Sequence, residues 1–138
     1  MKPAYLLDTN VLSDLVRRPH GVITKRISLE GEDNVCTSII VASELRFGAR
    51  KRGSEQLTRQ LDLVLSAIQV MPFEAPADHH YAKIRVYLEE RGTPIGPNDM
   101  LVAAQVLALD CTLVTRNVRE FSRVPALKVD DWSGTSPH

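Results

Sequence analysis

The apolar residues of this chain fall into two alternating patterns, and that alternation limits the fold more than any other feature. Short segments centred on one to four apolar residues stand at Ala4 to Leu7, Val35-Cys36, Val70-Met71, Thr112 to Thr115 and Lys128-Val129. Each is too short for a helix and is bounded by turn residues, so each reads as a short buried strand. Between them lie segments with apolar residues at helical spacing. Leu12, Leu15 and Val16 give a face that ends near Pro19, and a short second helix covers about Gly21 to Leu29. After a polar turn from Gly31 to Asn34, Ser38 is placed to cap a helix from Ile39 to Arg52 that stops at Gly53. Ser54 is placed to cap the next helix, whose Leu57, Leu61, Val64, Leu65 and Ile68 suit either a core or a dimer surface. Ala77, Tyr81, Ile84 and Leu88 mark another helix, stopped by Gly92. Pro97 suits the first turn of a helix reaching Leu109, and a short turn or helix holds Glu120 and Phe121. Strands and helices in alternation predict an α/β fold, a three-layer α/β/α sandwich with a short, mostly parallel central sheet.

The chain has 138 residues, the size of one domain, and no repeat or Pro/Gly-rich linker divides it. The expected organisation is one domain over 1–132 followed by a flexible tail over 133–138. Lys plus Arg and Asp plus Glu both total 17, so bulk charge gives no argument for nucleic-acid binding; any such argument must be local. The two cysteines, Cys36 and Cys111, sit in apolar runs and read as buried small hydrophobes. No stretch approaches the roughly 20 apolar residues of a membrane helix, and the first residues lack a long apolar signal region. A cytoplasmic protein is expected.

Three carboxylates break the apolar pattern. Asp8 ends the first strand, where ligands bind in open parallel sheets, although a helix cap also explains it. Glu44 lies at helical spacing from Ile40 and Phe47; a carboxylate on an apolar stripe must be paired with an Arg such as Arg46 or Arg50, or bound to a metal. Asp99 follows the stiff Gly96-Pro97-Asn98 segment at the head of an apolar helix, where it is equally a favourable first-turn acid. Two carboxylates about 5 Å apart repel by roughly 3 kcal/mol at an effective dielectric near 20, so a fold that gathers three needs a cation or a proton there. Oxygen donors without His or Cys select Mg²⁺ or Mn²⁺. Such ions polarise phosphoryl oxygens and generate hydroxide, which is the equipment of a phosphodiesterase. A fourth, weaker position follows the late strand, where Thr115, Asn117 or Glu120 is available. Arg46, Arg50, Lys51 and Arg52, and then Arg116, Arg119 and Arg123, form clusters able to carry an RNA backbone, or simply solvated basic faces.

Leu6-Leu-Asp8-Thr-Asn10-Val-Leu, Ser43-Glu44-Leu-Arg-Phe-Gly48, Gly96-Pro-Asn-Asp99-Met-Leu-Val-Ala-Ala and Leu113-Val-Thr115-Arg-Asn117 stand in an order and spacing that resemble the PIN-domain nucleases. Among these, the chain is most similar to the VapC-type toxins of bacterial toxin–antitoxin pairs. The ending, from Phe121 to Val124 and from Val129 to Trp132, resembles them too. The resemblance implies a parallel α/β/α sandwich and Mg²⁺- or Mn²⁺-dependent endoribonuclease activity. It places Asp8, Glu44 and Asp99 on the acidic metal positions. It puts Asn117 at a fourth position that is often Asp, which leaves a second metal in question. It also implies a homodimer silenced by a cognate VapB-type antitoxin. The wording around Ser43 to Ala49 and Gly96 to Asp99 is similar to members that cut initiator tRNA. The rival readings are a non-catalytic RNA- or protein-binding module and a phosphatase; the latter needs a second Asp where Asn10 stands.

Overall fold

The computed structural model describes residues 2–133. Five strands form one sheet: β1 (Tyr5–Leu7), β2 (Val35–Ser38), β3 (Gln69–Met71), β4 (Thr112–Val114) and β5 (Lys128–Asp130), in the order β3-β2-β1-β4-β5 with every pairing parallel. Seven helices connect them among the described residues: α1 (Thr9–Arg17), α2 (Val22–Glu30), α3 (Ile39–Arg52), α4 (Glu55–Ala67), α5 (Ala77–Glu90), α6 (Pro97–Leu109) and α7 (Val118–Phe121). The expected mostly parallel sheet is therefore wholly parallel, and the Gly31–Asn34 turn contains one 3-10 turn at Glu32–Asn34.

The topology decides where a site can form. The chain moves from β1 outward to β2 and β3, then crosses to the other side of β1 for β4 and β5. Right-handed crossovers then put α1 to α4 over one face and α5 and α6 over the other. The reversal makes a crevice beyond the carboxyl ends of β1 and β4, the usual ligand position in such sheets.

Ser38 and Ser54 cap α3 and α4 as the sequence predicts, their hydroxyls accepting the amides of Ile40 (2.9 Å) and Leu57 (3.1 Å). Leu61 and Leu65 are core residues, while Val64 and Ile68 reach a cleft between α1, α2 and α4. Cys36 and Cys111 are free and buried. Burial pushes both thiols up, to about 12 and about 11, so they behave as small hydrophobes. Trp132 is buried against Tyr5, with ring centroids 5.0 Å apart, and the Arg26 guanidinium lies 5.1 Å from its ring centroid. That contact closes the described chain back onto β1. Ser133 donates its amide to Asp131 (2.8 Å), whereas the remainder of the expected tail lies outside the described residues.

Leu6 is fully buried between Cys36 and Leu113 on the neighbouring strands. Leu6→Ala is expected to lower stability by about 3 kcal/mol in urea denaturation followed by Trp132 fluorescence. A loss below about 1 kcal/mol would show that the sheet centre is less tightly packed than the structure has it.

Candidate active site

Asp8 is the hinge between β1 and α1. Its amide donates to the Val114 carbonyl (2.9 Å), the last rung between β1 and β4. The residue stands at the N-cap of α1, yet its side chain makes no capping bond. The carboxylate accepts the Thr115 hydroxyl instead (2.7 Å), across the crevice from the end of β4. At 4% exposure, burial raises its pKa, opposed by the Thr115 hydroxyl and the Thr9 amide. The cap position is real, but the side chain faces the crevice.

Glu44 is half-buried on α3 and accepts the Thr9 hydroxyl (3.0 Å). The Arg pairing considered from the sequence is not made: Arg46 turns away to Asp62 on α4 (2.7 Å). The expected stripe also needs correction. Phe47 is 67% exposed, and the core face of α3 is Val41, Ala42 and Ala49. Helical spacing alone gives the relation of Glu44 to Phe47 but not which face is covered.

Asp99 sits in the first turn of α6 and Glu120 in α7, and the two share a hydrogen bond. Burial, then the charges of Asp8 and Glu120, then that bond push Asp99 up to about 7. Glu120 is held down by the Asn117 side-chain amide (2.7 Å) and the Gly96 backbone amide (3.3 Å). A Cβ at Gly96 would lie 3.3 Å from Asp99 Oδ2, so a side chain there would push that carboxylate aside by a few tenths of an ångström. The Asn117 backbone N–H donates to the Thr115 hydroxyl (3.0 Å), which in turn donates to Asp8. Asn117 thus faces Glu120 and Thr115, and the fourth carboxylate beside the crevice is Glu120.

The structure therefore brings Asp8, Asp99 and Glu120 into mutual influence, with the charge of Glu44 felt by Asp8 and Asp99. Among the described residues, no three His, Cys, Asp or Glu side chains converge closely enough to cage a metal. The carboxylates sense one another without closing on a point. Their donors are oxygen only, the kind a hard divalent cation takes.

A family model described as the PIN domain matches residues 5–127. The chain belongs to the PIN-domain family. Two relatives lie close in sequence. A ribonuclease VapC2 of Rickettsia felis is 35% identical over 130 residues, covering 93% of this chain and 97% of the relative. A tRNA(fMet)-specific endonuclease VapC of Shigella flexneri is 33% identical, covering 94% and 98%. In three dimensions this PIN domain superimposes on a VapBC2 structure of Rickettsia felis bound to promoter DNA, at TM-score 0.88 and 34% identity over 94% of this chain and 98% of that one. It also superimposes on DNA-bound VapBC of Salmonella typhimurium at TM-score 0.84 and 32% identity, covering 94% and 98%. The expected α/β/α architecture is that of these PIN-domain proteins.

Two contributors to the site escaped the sequence reading. Thr9 reads in the sequence only as part of the Asp8-Thr-Asn10 run, and Gly96 only as loop stiffness; their roles depend on which atoms the fold brings opposite them.

The raised Asp99 pKa has a consequence for the metal-free protein. From about pH 4 to about pH 7 the folded state holds a proton that the unfolded chain, near 3.8, has released. Stability therefore falls as pH rises through that window. Asp8 acts in the same sense and Glu120, drawn down further by Arg123, in the opposite one. In chelator, Asp99→Asn should melt progressively higher than the unsubstituted protein as pH goes from 4.5 to 7.5. Melting curves whose difference does not change with pH would show that Asp99 is not crowded by its neighbours.

Proposed function

We propose that this PIN domain is a Mg²⁺- or Mn²⁺-dependent endoribonuclease, the toxin of a toxin–antitoxin pair. The observation that supports it most is the gathering of Asp8, Glu44, Asp99 and Glu120 at the carboxyl edge of the sheet. None of them is in an ion pair among the described residues. A purely structural arrangement has no use for four unpaired acids, and a non-catalytic module would have discharged them with arginines.

The donor set is oxygen only, which fits a hard divalent cation; Asp8 and Asp99 would hold it, with Glu44 and Glu120 available as further oxygen donors. When bound, the cation supplies Lewis acidity at the phosphoryl oxygen and a water of lowered pKa. The chain's own contributions are separable. Thr115 fixes Asp8, Thr9 aims Glu44, and Asn117 with the Gly96 amide holds Glu120 ionised. Asp99, pushed up to about 7 by burial and neighbouring charge, must give up its proton for a cation to bind there. Asn117 acts here as the positioning residue for Glu120, and Glu120 takes the fourth acidic corner.

The substrate we propose is RNA, with initiator tRNA as the specific target, on the strength of the relative named as tRNA(fMet)-specific. The partner we propose is a VapB-type antitoxin, supported by the VapBC complexes among the structural neighbours, and the working unit we propose is a homodimer. No described helix is long and apolar enough to cross a membrane. A tRNA target places the action in the cytoplasm.

The test is cleavage of initiator tRNA with Mg²⁺, with and without EDTA. Asp8→Asn keeps the shape and the Thr115 contact but loses the charge, and should slow cleavage at least ~100-fold. Glu120→Gln should lose on the order of 10- to 100-fold. Cleavage that survives EDTA, or an Asp8→Asn protein as fast as wild type, overturns the proposal.

A further inference from the structure

An RNA chain approaching four carboxylates meets repulsion at every phosphate, so the protein must supply cations close by without letting them collapse onto the acids. One cleft beside the crevice has that composition. Of about 270 Å³, it is lined by Asn10, Ser13, Asp14, Arg17, Arg18 and Arg116. Arg116 directly follows Thr115, about 3.8 Å away along the Cα trace, and Asn10 stands two residues beyond Asp8. The cleft therefore opens at the shoulder of the acidic site and runs along one face of α1.

Asp14 organises this cleft. Its side chain is only 9% exposed; it accepts a hydrogen bond from Arg18 Nη1 (3.0 Å) and forms an ion pair with Arg116 Nη2 at 3.4 Å. Each guanidinium carries five N–H donors, so most remain for a second anion. Arg116 and Arg18 stay 41% and 72% exposed. Arg17 has no ion-pair partner among the described residues, and it also lines a smaller neighbouring cleft with Glu44 and Arg52. A tie between α1 and the segment after β4 would need one arginine; three around one carboxylate leave an excess of positive charge facing the cleft. The basic run after Glu44 is less suited. Arg46 is spent on Asp62, and Lys51 lies over the Phe47 ring.

We propose that this cleft is the subsite for an RNA backbone phosphate next to the bond that is cut. Arg17, Arg18 and Arg116 bind the phosphate, and Asp14 is the positioning residue for two of them. The inference rests on the nuclease reading above, and its test is separable from it.

In the cleavage-dead Asp8→Asn background, binding of a single-stranded oligoribonucleotide is measured against salt concentration. Arg17→Ala and Arg116→Ala should each weaken binding about 5-fold. Each should also make the plot of log affinity against log salt shallower by about 0.7. Arg116→Lys keeps the charge and should restore the slope, which also guards against a folding defect. Arg46→Ala, outside the cleft, should leave the slope unchanged. In the active enzyme the cleft variants should raise KM more than they lower kcat. An unchanged salt slope in both alanine variants overturns the subsite while leaving the nuclease standing. So does a loss confined to antitoxin binding, which would assign the cleft to a protein partner. An active Asp8→Asn enzyme would instead remove the catalytic reading, whatever the arginines do.

Discussion

Electrostatic repulsion at the carboxyl edge of one small sheet is the constraint around which this molecule is arranged. Asp8, Asp99 and Glu120 raise or share one another's protons, and Glu44 adds its charge. They are held by neutral donors: the hydroxyls of Thr9 and Thr115, the Asn117 side-chain amide and the Gly96 backbone amide. Neutral donors orient a carboxylate without cancelling it. An arginine in any of those places would steady the fold and consume the charge that the proposed cation would need. The surrounding core makes this tolerable. Leu6, Leu7, Val11, Leu113 and Val114 are fully buried directly beneath the site, and their rigidity keeps the acids from drifting apart.

Much of the architecture was legible because it rests on local rules. Strand and helix order, both serine caps and the helix heads at Thr9, Ile39 and Pro97 follow from apolar period and end chemistry. Strand ends were less legible. β2 extends to Ser38, since Thr37 and Ser38 are polar yet buried; the Thr37 hydroxyl is satisfied by the Leu7 carbonyl (2.8 Å). A pairing of that kind leaves no trace in a one-dimensional pattern.

The site divides along the same line. Asp8, Glu44 and Asp99 could be singled out because each contradicts its own neighbourhood. Glu120 contradicts nothing, being a polar residue in a short surface helix, and its importance comes from Asn117 and Gly96, residues 3 and 24 positions away. Asn117 drew attention through its place in a motif, but a motif records a position and says nothing about which way the side chain points. Here the side-chain amide faces Glu120, which is why we propose that carboxylate, three residues on, for the fourth corner.

The ordering of charge beyond the acids follows from the same constraint. Arg116 is adjacent in sequence to the Asp8–Thr115 contact, and a long guanidinium side chain so placed would fall onto the carboxylates by Coulomb attraction alone. Asp14 offers a competing anion on the far side of α1's first turns, one that is largely withdrawn from solvent and already shared with Arg18. The competition keeps the cationic and anionic groups in separate neighbouring compartments. Without such a separation, the protein would neutralise its own acids and its own arginines together. Neither a hydrated cation nor a phosphate would then have a partner. The nearly buried carboxylate on α1 thus holds Arg116, the residue next to Thr115, in an ion pair outside the acidic site.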